Sequence, residues 1–491
     1  MKILFVAAEN APYAQVGGLS QAVSFLARAV KKQGHDVRVF MPKYGIIKTK
    51  KYPMEVDMLS LSVPTGHPRG KFPTKILCNV LRRMDDTIFV PTYFLENREY
   101  YELRANVYGY GDEHIRFYLL SMGCLEWLLE QQREGKWLPD IIHAHDWHTG
   151  YLVNALKTKK RYKTALGHIK VLYTIHNFKH QGNSDFKYAS KPSTGRGPLL
   201  PMFDPAMQKQ NPMLRGLLSA DRVNTVSLTH AMEIQTLEFG EGLQEYLKKL
   251  GRRFSGIPNG VDVTAMNPAT DKNIVSNYTV KSLERRKPNK LALQKLFKLP
   301  IDPTIPVVAY IGRLAIQKGI ENIFAALEHL ESLPKAQFIF LGGGDDIFRS
   351  ELVQLVKEHP KQIAAVLHGD FILPRKIFAG SDILLMPSTF EPGGIVAMEA
   401  LRYGCVPLVA DTGGLSETVQ PFNPETLTGN GFLHVRKNTW SFIVTLASAL
   451  QVYAIPSIWK HVVKNGMIGD FSWDHTARKY VQLYTQLVKT K

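Results

Sequence analysis

Two successive series of apolar strand-like runs and helix-period segments, parted by a Pro- and Gly-containing break, predict an α/β protein with two Rossmann-like domains facing a deep cleft. The chain has 491 residues, more than a single core usually serves. Its short continuous apolar runs alternate with segments of 3.6-residue period, the pattern of parallel sheets flanked by helices. The break Gly256-Ile-Pro-Asn-Gly-Val-Asp262 divides the two series. Domains are therefore expected at 1–256 and 257–470, with a terminal helix at 471–491.

The first series opens with an apolar run at 3–7. Leu19, Val23, Leu26, Ala27 and Val30 then recur at helical spacing up to Gly34, and residues 37–41 return to strand. A helical segment at 115–131 precedes strand-like 141–142, which leads into His143–His148, and strand-like 171–175, which leads into His176 and Asn177. After the break, the polar stretch 271–304 carries a helical patch near 291–299. The second series has runs at Val307–Ile311, Gln337–Leu341, 364–367, Ile383–Met386 and 406–409. Neither a solenoid repeat nor a low-complexity tract interrupts this order.

Composition narrows the function classes. A chain that is 45% hydrophobic and 21% charged is globular, and no apolar run nears the ~20 residues of a membrane span. The opening MKILFVAAEN meets Glu9 too early for a leader and reads as a first strand. Cys78, Cys124 and Cys405 are too scattered for a disulfide framework or a metal site, which fits the cytoplasm. The net charge of +18 is spread over clusters such as 157–163, 248–253 and 285–290 without an RRM, KH or zinc-finger pattern. Neither nucleic acid nor a membrane is the expected partner. A NAD-dependent dehydrogenase is set aside because no GxGxxG follows a strand.

The richest stretch is Glu391–Gly414. Glu391-Pro-Gly-Gly394 follows an apolar run, a helical segment then carries Glu399, and Gly413-Gly414 follows the next run. A strand, a glycine turn and a helix start together present N–H groups without intrahelical partners, which is an anion site. A carboxylate there repels phosphate but accepts hydrogen bonds from hydroxyls, so the combination points to a nucleotide-sugar. Arg313 and Lys318, at a strand end and just ahead of a helix start, bracket a diphosphate and would meet the charge building on a departing phosphate. Gln15-Val-Gly-Gly-Leu19 is a glycine loop before a helix; its N–H groups suit a diphosphate, and read alone it is only a turn. His143-Ala-His-Asp-Trp-His148 is dense in metal-ligand types, yet such groups at a strand end equally line a sugar site by hydrogen bonding. No second cluster completes a binuclear centre, so no metal is expected. His176 and Asn177 form a second polar pair at the mouth of the same sheet.

Taken in order, these fragments resemble the bacterial glycogen synthase and plant starch synthase family over essentially the whole chain. The likeness runs through VGGL at 16–19, HAHDWH at 143–148, TIHNF with Gln181-Gly182 at 174–182, and ADRVNTVS at 220–227. It continues through NGVD at 259–262, IGRLAIQKG at 311–319, AGSDILLMPSTFEPGG at 379–394, TGGLSETV at 412–419 and FSW at 471–473. The resemblance implies a GT-B fold and α-retaining transfer of glucose from ADP-glucose or UDP-glucose to the 4-hydroxyl of an α-1,4-glucan, with no cofactor and no required metal. It implies an amino-terminal glucan domain, a carboxy-terminal nucleotide-sugar domain and a last helix that returns to the amino-terminal domain. Position by position, Arg313 and Lys318 hold the diphosphate, Glu391 binds glucose hydroxyls, and the amides of Gly393, Gly394, Ile395 and Val396 hold phosphate. His176 lies beside the sugar and the reacting centre, with Asp146, Asn177 and Asn259 lining the site; Gln15, Gly17, Gly18 and Glu399 fall on the donor side.

Departures from the family pattern are specific. Gln15 stands where the family has lysine, Gln21 where it has aspartate, EPGG replaces EPCG, and Thr389 stands where arginine is usual. Glu399 follows the Glu-x7-Glu spacing of the broader retaining group. These differences define two other readings: a related retaining glycosyltransferase with another donor or acceptor, and a weakly active glucan-binding homologue.

Overall fold

The computed structural model describes residues 1–66, 74–83, 90–182, 211–370 and 372–489. They form two compact units: Met1–Val226, Ala231–Ile257 and Trp473–Lys491 make unit 1, and Ser227–His230 with Pro258–Ser472 makes unit 2.

Unit 1 is built on nine strands: β1 (Lys2–Val6), β2 (Asp36–Pro42), β3 (Glu55–Pro64), β4 (Lys75–Arg83), β5 (Thr92–Glu96), β6 (Ile141–His145), β7 (Lys170–Ile175), β8 (Arg222–Thr225) and β9 (Phe254–Gly256). Their order is β3-β4-β5-β2-β1-β6-β7-β8-β9. From β5 to β9 every pairing is parallel, while β3 and β4 add an antiparallel edge. The parallel strands β1, β6 and β7 are buried, whereas the edge strands β3 and β9 face solvent along much of their length. On one face, Ile3, Phe5, Val37, Ile141 and Leu172 pack against helix Gly18–Lys32 and helix Trp473–Lys489. The latter buries Trp473, Ala477, Tyr480, Tyr484 and Leu487, a stripe at three- and four-residue spacing that makes one apolar face.

Unit 2 has six strands: β10 (Val307–Ile311), β11 (Gln337–Leu341), β12 (Ile363–Val366), β13 (Ile383–Met386), β14 (Val406–Ala410) and β15 (Phe432–His434). All are parallel in the order β12-β11-β10-β13-β14-β15, the doubly wound arrangement in which the chain reverses direction between β10 and β13. Unit 1 shows the same reversal between β1 and β6. Ligands in such sheets bind outside the carboxyl ends of the strands at these reversal points.

Among the described residues no single helix is long and apolar enough to cross a membrane. A bent pair, Thr439–Tyr453 and Pro456–Ile468, turns by 110° at its break. It contributes Phe442, Leu446, Leu450, Trp459, Val462 and Val463 to the core of unit 2.

Candidate active site

At the reversal point of unit 2, two loops are clipped together. The loop after β10 carries Arg313 and Lys318, and the loop after β13 carries Glu391. Gly319 has φ +66°, and a Cβ there would lie 1.9 Å from the Pro387 carbonyl oxygen, so only glycine lets the loops approach this closely. Thr389 N donates to Gln317 O at 2.9 Å, and Gln317 Nε2 donates to Phe390 O at 3.3 Å. Lys318 Nζ and the Glu391 carboxylate form an ion pair, both side chains only partly exposed. Arg313 is exposed at the strand end, its backbone pinned by the Tyr310 hydroxyl donating to its carbonyl at 2.6 Å.

The third loop, after β14, closes on the same place. Gly414 N donates to Glu391 O at 3.0 Å, and Gly413, at φ +49°, would put a Cβ 2.2 Å from that carbonyl oxygen. The backbone around Glu391 is therefore tied to β10 on one side and β14 on the other. Helix Ile395–Arg402 starts at Gly394 with no side-chain cap. Among the described residues the amides of Gly393, Gly394, Ile395 and Val396 meet no acceptor, so they stand ready for an anion. Glu399 sits on this helix; it keeps some exposed surface, yet burial pushes its carboxyl up to about 7 against the pull of Arg375. Asn259 is buried where unit 2 begins.

In unit 1 the carboxyl ends of β1, β6 and β7 bring together Glu9, Asp146, His176 and Asn177. Asp146 has φ 54°, which ends β6 abruptly and swings the chain into a short helical turn. Its Oδ1 accepts the His176 amide at 2.7 Å and the Asn177 amide at 3.4 Å. Burial nonetheless outweighs these bonds and pushes the Asp146 carboxyl up to about 7. Burial pushes His176 down to about 3, so its imidazole is neutral at physiological pH. His176 Nε2 lies 3.0 Å from His145 Nδ1.

The histidine run does not converge on one point. His143 faces Thr174 and Tyr484, His145 faces His176, Asp146 holds backbone amides, and His148 packs on Phe117 with ring centroids 4.5 Å apart. Strand alternation and then the turn at Asp146 aim these side chains apart. Among the described residues no group of three or more His, Cys, Asp or Glu side chains is placed to hold a metal ion.

The glycine loop at the start of the chain differs from its sequence reading. The amides of Val16 and Gly17 donate to the carboxylate of Glu9 at 2.7 and 3.0 Å, and the Tyr108 hydroxyl donates to the other oxygen of Glu9 at 2.7 Å. Two amides expected to face a diphosphate are thus occupied by the chain's own buried carboxylate. Gln15 and Gly18 remain exposed. Spacing does not mark Glu9 and Tyr108 as site residues, and it marks His145 only as one member of the His143–His148 run. Pairing β1 with β6, and β6 with β7, brings the strand ends before Glu9 and at His145 to the reversal point, where Tyr108 joins through its bond to Glu9.

Comparison with known proteins agrees with this architecture. Residues 2–249 match the family described as starch synthase catalytic domain, and residues 293–459 match glycosyl transferases group 1. A glycogen synthase of Ligilactobacillus salivarius is 37% identical, covering 99% of this chain and 100% of the relative. That of Desulforamulus reducens is 35% identical over 99% of both chains. Among solved structures, the catalytic domain of starch synthase IV from Arabidopsis thaliana, bound to ADP and acarbose, superposes with a TM-score of 0.84 at 29% identity, covering 99% of each chain. The fold is the two-domain α/β GT-B type. With full-length matches of this quality behind it, the chain belongs to the glycogen synthase and starch synthase family of glycosyltransferases.

Proposed function

We propose that this protein is a cytoplasmic glycogen (starch) synthase. It transfers glucose from ADP-glucose or UDP-glucose to the non-reducing-end 4-hydroxyl of an α-1,4-glucan with retention of configuration. One observation carries the reading: at the reversal point of unit 2, a Lys318–Glu391 pair stands beside the uncapped start of helix Ile395–Arg402. That arrangement suits a ligand with both hydroxyls and a diphosphate. The solved starch synthase IV relative holds ADP together with acarbose, which supports a nucleotide-sugar donor and a glucan acceptor.

In this mechanism the bond between glucose C1 and the diphosphate oxygen breaks, C1 bonds to the acceptor 4-oxygen, the proton of that hydroxyl passes to the departing phosphate, and negative charge accumulates on that phosphate as it leaves. Arg313 and Lys318 neutralise it, and the amides of Gly393, Gly394, Ile395 and Val396 donate to its oxygens. Glu391 accepts from glucose hydroxyls, which orients C1 while drawing Lys318 into place. Glu399 and Asn259 complete the donor side within unit 2; the family resemblance adds the loop of Gln15, Gly17 and Gly18, of which the Gly17 amide is held by Glu9 while Gln15 and Gly18 are exposed. The neutral His176 ring lies beside the sugar, with Asp146 and Asn177 on the acceptor side.

A second reading, a slow glucan-binding homologue, draws on the neutral Gln15 and on Glu9 filling two loop amides. The deciding experiment measures glucose transfer to glycogen from ADP-glucose and from UDP-glucose, with and without EDTA. Lys318→Ala and Glu391→Ala are expected to lower transfer on the order of a hundredfold or more. Unchanged transfer in both variants overturns the site, and wild-type protein that binds glycogen without turnover moves the reading to the second one.

A further inference from the structure

The ring of His145 is enclosed in unit 1, stacked on Phe5 with centroids 5.5 Å apart and lying 4.1 Å from the ring of His143. Its neighbours fix where protons sit. Asn224 Nδ2 donates to the Tyr480 hydroxyl at 3.0 Å and towards the Thr225 carbonyl at 3.5 Å, so the Asn224 oxygen is the atom facing Thr174. The Thr174 hydroxyl donates its proton to that oxygen at 2.5 Å, so it must accept from His143 Nε2, also at 2.5 Å. His143 therefore carries its proton on Nε2, and its Nδ1 accepts from the Tyr484 hydroxyl at 2.8 Å. Both nitrogens of His143 are engaged, and neither serves His145.

Among the described residues the ring of His145 has one hydrogen-bond partner, His176 Nε2, 3.0 Å from its Nδ1. Its own Nε2 is buried and meets no hydrogen-bonding group among the described residues. A neutral ring has one proton to place. On Nε2 it would be a buried N–H without an acceptor, the costlier arrangement; on Nδ1 it makes the bond to His176 and leaves only a bare acceptor nitrogen. We infer that His145 is a positioning residue: it donates Nδ1–H to His176 Nε2 and so holds His176 in the tautomer with its proton on Nδ1, available to a sugar hydroxyl. The next residue, Asp146, accepts the His176 backbone amide at 2.7 Å, so consecutive residues at the end of β6 hold both the ring and the main chain of His176. The consequence for catalysis rests on the proposed function; the tautomer itself does not.

The test uses full-length protein labelled with ¹⁵N-histidine, in which two-bond ¹H–¹⁵N correlations report the tautomer of each ring. A His176→Asn spectrum identifies the His176 signal. Two variants of equal size separate donation from packing: His145→Asn places an amide N–H where Nδ1–H stood, and His145→Leu offers no donor. Wild type and His145→Asn are expected to show His176 protonated on Nδ1, with kcat within about threefold of each other. His145→Leu is expected to populate the Nε2–H form, with kcat lower by roughly tenfold and donor KM changed by less than about twofold. His176 protonated on Nε2 in the wild type, or Nδ1–H retained fully in His145→Leu, overturns the inference. If His145→Leu fails to fold, the wild-type spectrum decides alone. The expected tautomer in a protein that transfers no glucose supports this inference and sinks the proposed function.

Discussion

Asp146→Asn separates what a buried carboxylate does for catalysis from what it costs the fold. In the unfolded chain this carboxyl titrates near 3.8, and in the fold burial pushes it up to about 7. Because the folded value is the higher one, the stability linked to Asp146 is fully present below pH 3.8, declines as the pH rises, and is lost once the pH passes 7. At 1.36 kcal/mol per pH unit over that window, the preference of the unfolded chain for the ionised carboxyl weakens the fold by about 4 kcal/mol at pH 8 and by about 2 kcal/mol at pH 5.5. Asparagine is neutral throughout and keeps an oxygen for the His176 amide, now 2.7 Å from Asp146. Its extra N–H₂ adds an offset that does not vary with pH. The readout is therefore the change in the variant's advantage between pH 5.5 and pH 8, measured by urea unfolding of both proteins and expected to be about 2 kcal/mol in favour of the variant at the higher pH. Glucose transfer by the variant should fall sharply even as its stability rises. A difference that is independent of pH, or that shrinks towards pH 8, refutes the buried-carboxylate reasoning.

Two further outcomes follow from the loops. Gly319→Ala forces a side chain into a left-handed position, at about 1–2 kcal/mol, and parts the loops that meet at Pro387, for a total near 3–5 kcal/mol. Urea unfolding and the transfer assay check it, and a variant as stable and active as wild type removes the idea that the clip matters. Gln15→Lys returns a cation to an exposed loop position and is expected to lower donor KM by about tenfold, an effect that weakens with added salt; unchanged KM values at low salt count against a donor role for this loop.

The fold was legible where burial is two-sided. Strands β1, β7, β10, β11, β13 and β14 are largely apolar runs, and such runs announce themselves. Two others were not: the edge strand β3 reads EVDMLSLSVP, exposed along much of its length, and the interior strand β8 reads RVNT, with a single valine. Both are strands because neighbours supply their hydrogen bonds, a property of the sheet and not of the segment. The site followed the same rule. Arg313, Lys318, Glu391 and His176 stood out because glycines or strand ends flank them. Their partnerships did not, since Lys318 meets Glu391 across 73 residues and His145 meets His176 across 31. Glu9 drew notice only as a charge near the start of the chain; its hold on Val16 and Gly17 depends on how the loop folds back after β1.

Helix Trp473–Lys489 has a consequence for biosynthesis. The strands it covers are translated first, yet Tyr484 and Tyr480, which engage His143 and Asn224, leave the ribosome only after all of unit 2 has been made. Apart from the short segment Ser227–His230, unit 2 is one continuous stretch, Pro258–Ser472, and can complete itself while unit 1 still waits with an apolar face and a row of polar side chains uncovered. Unit 2 can therefore be complete before unit 1, and until the last helix is made β1, β6 and β7 leave uncovered an apolar face of the kind that favours aggregation.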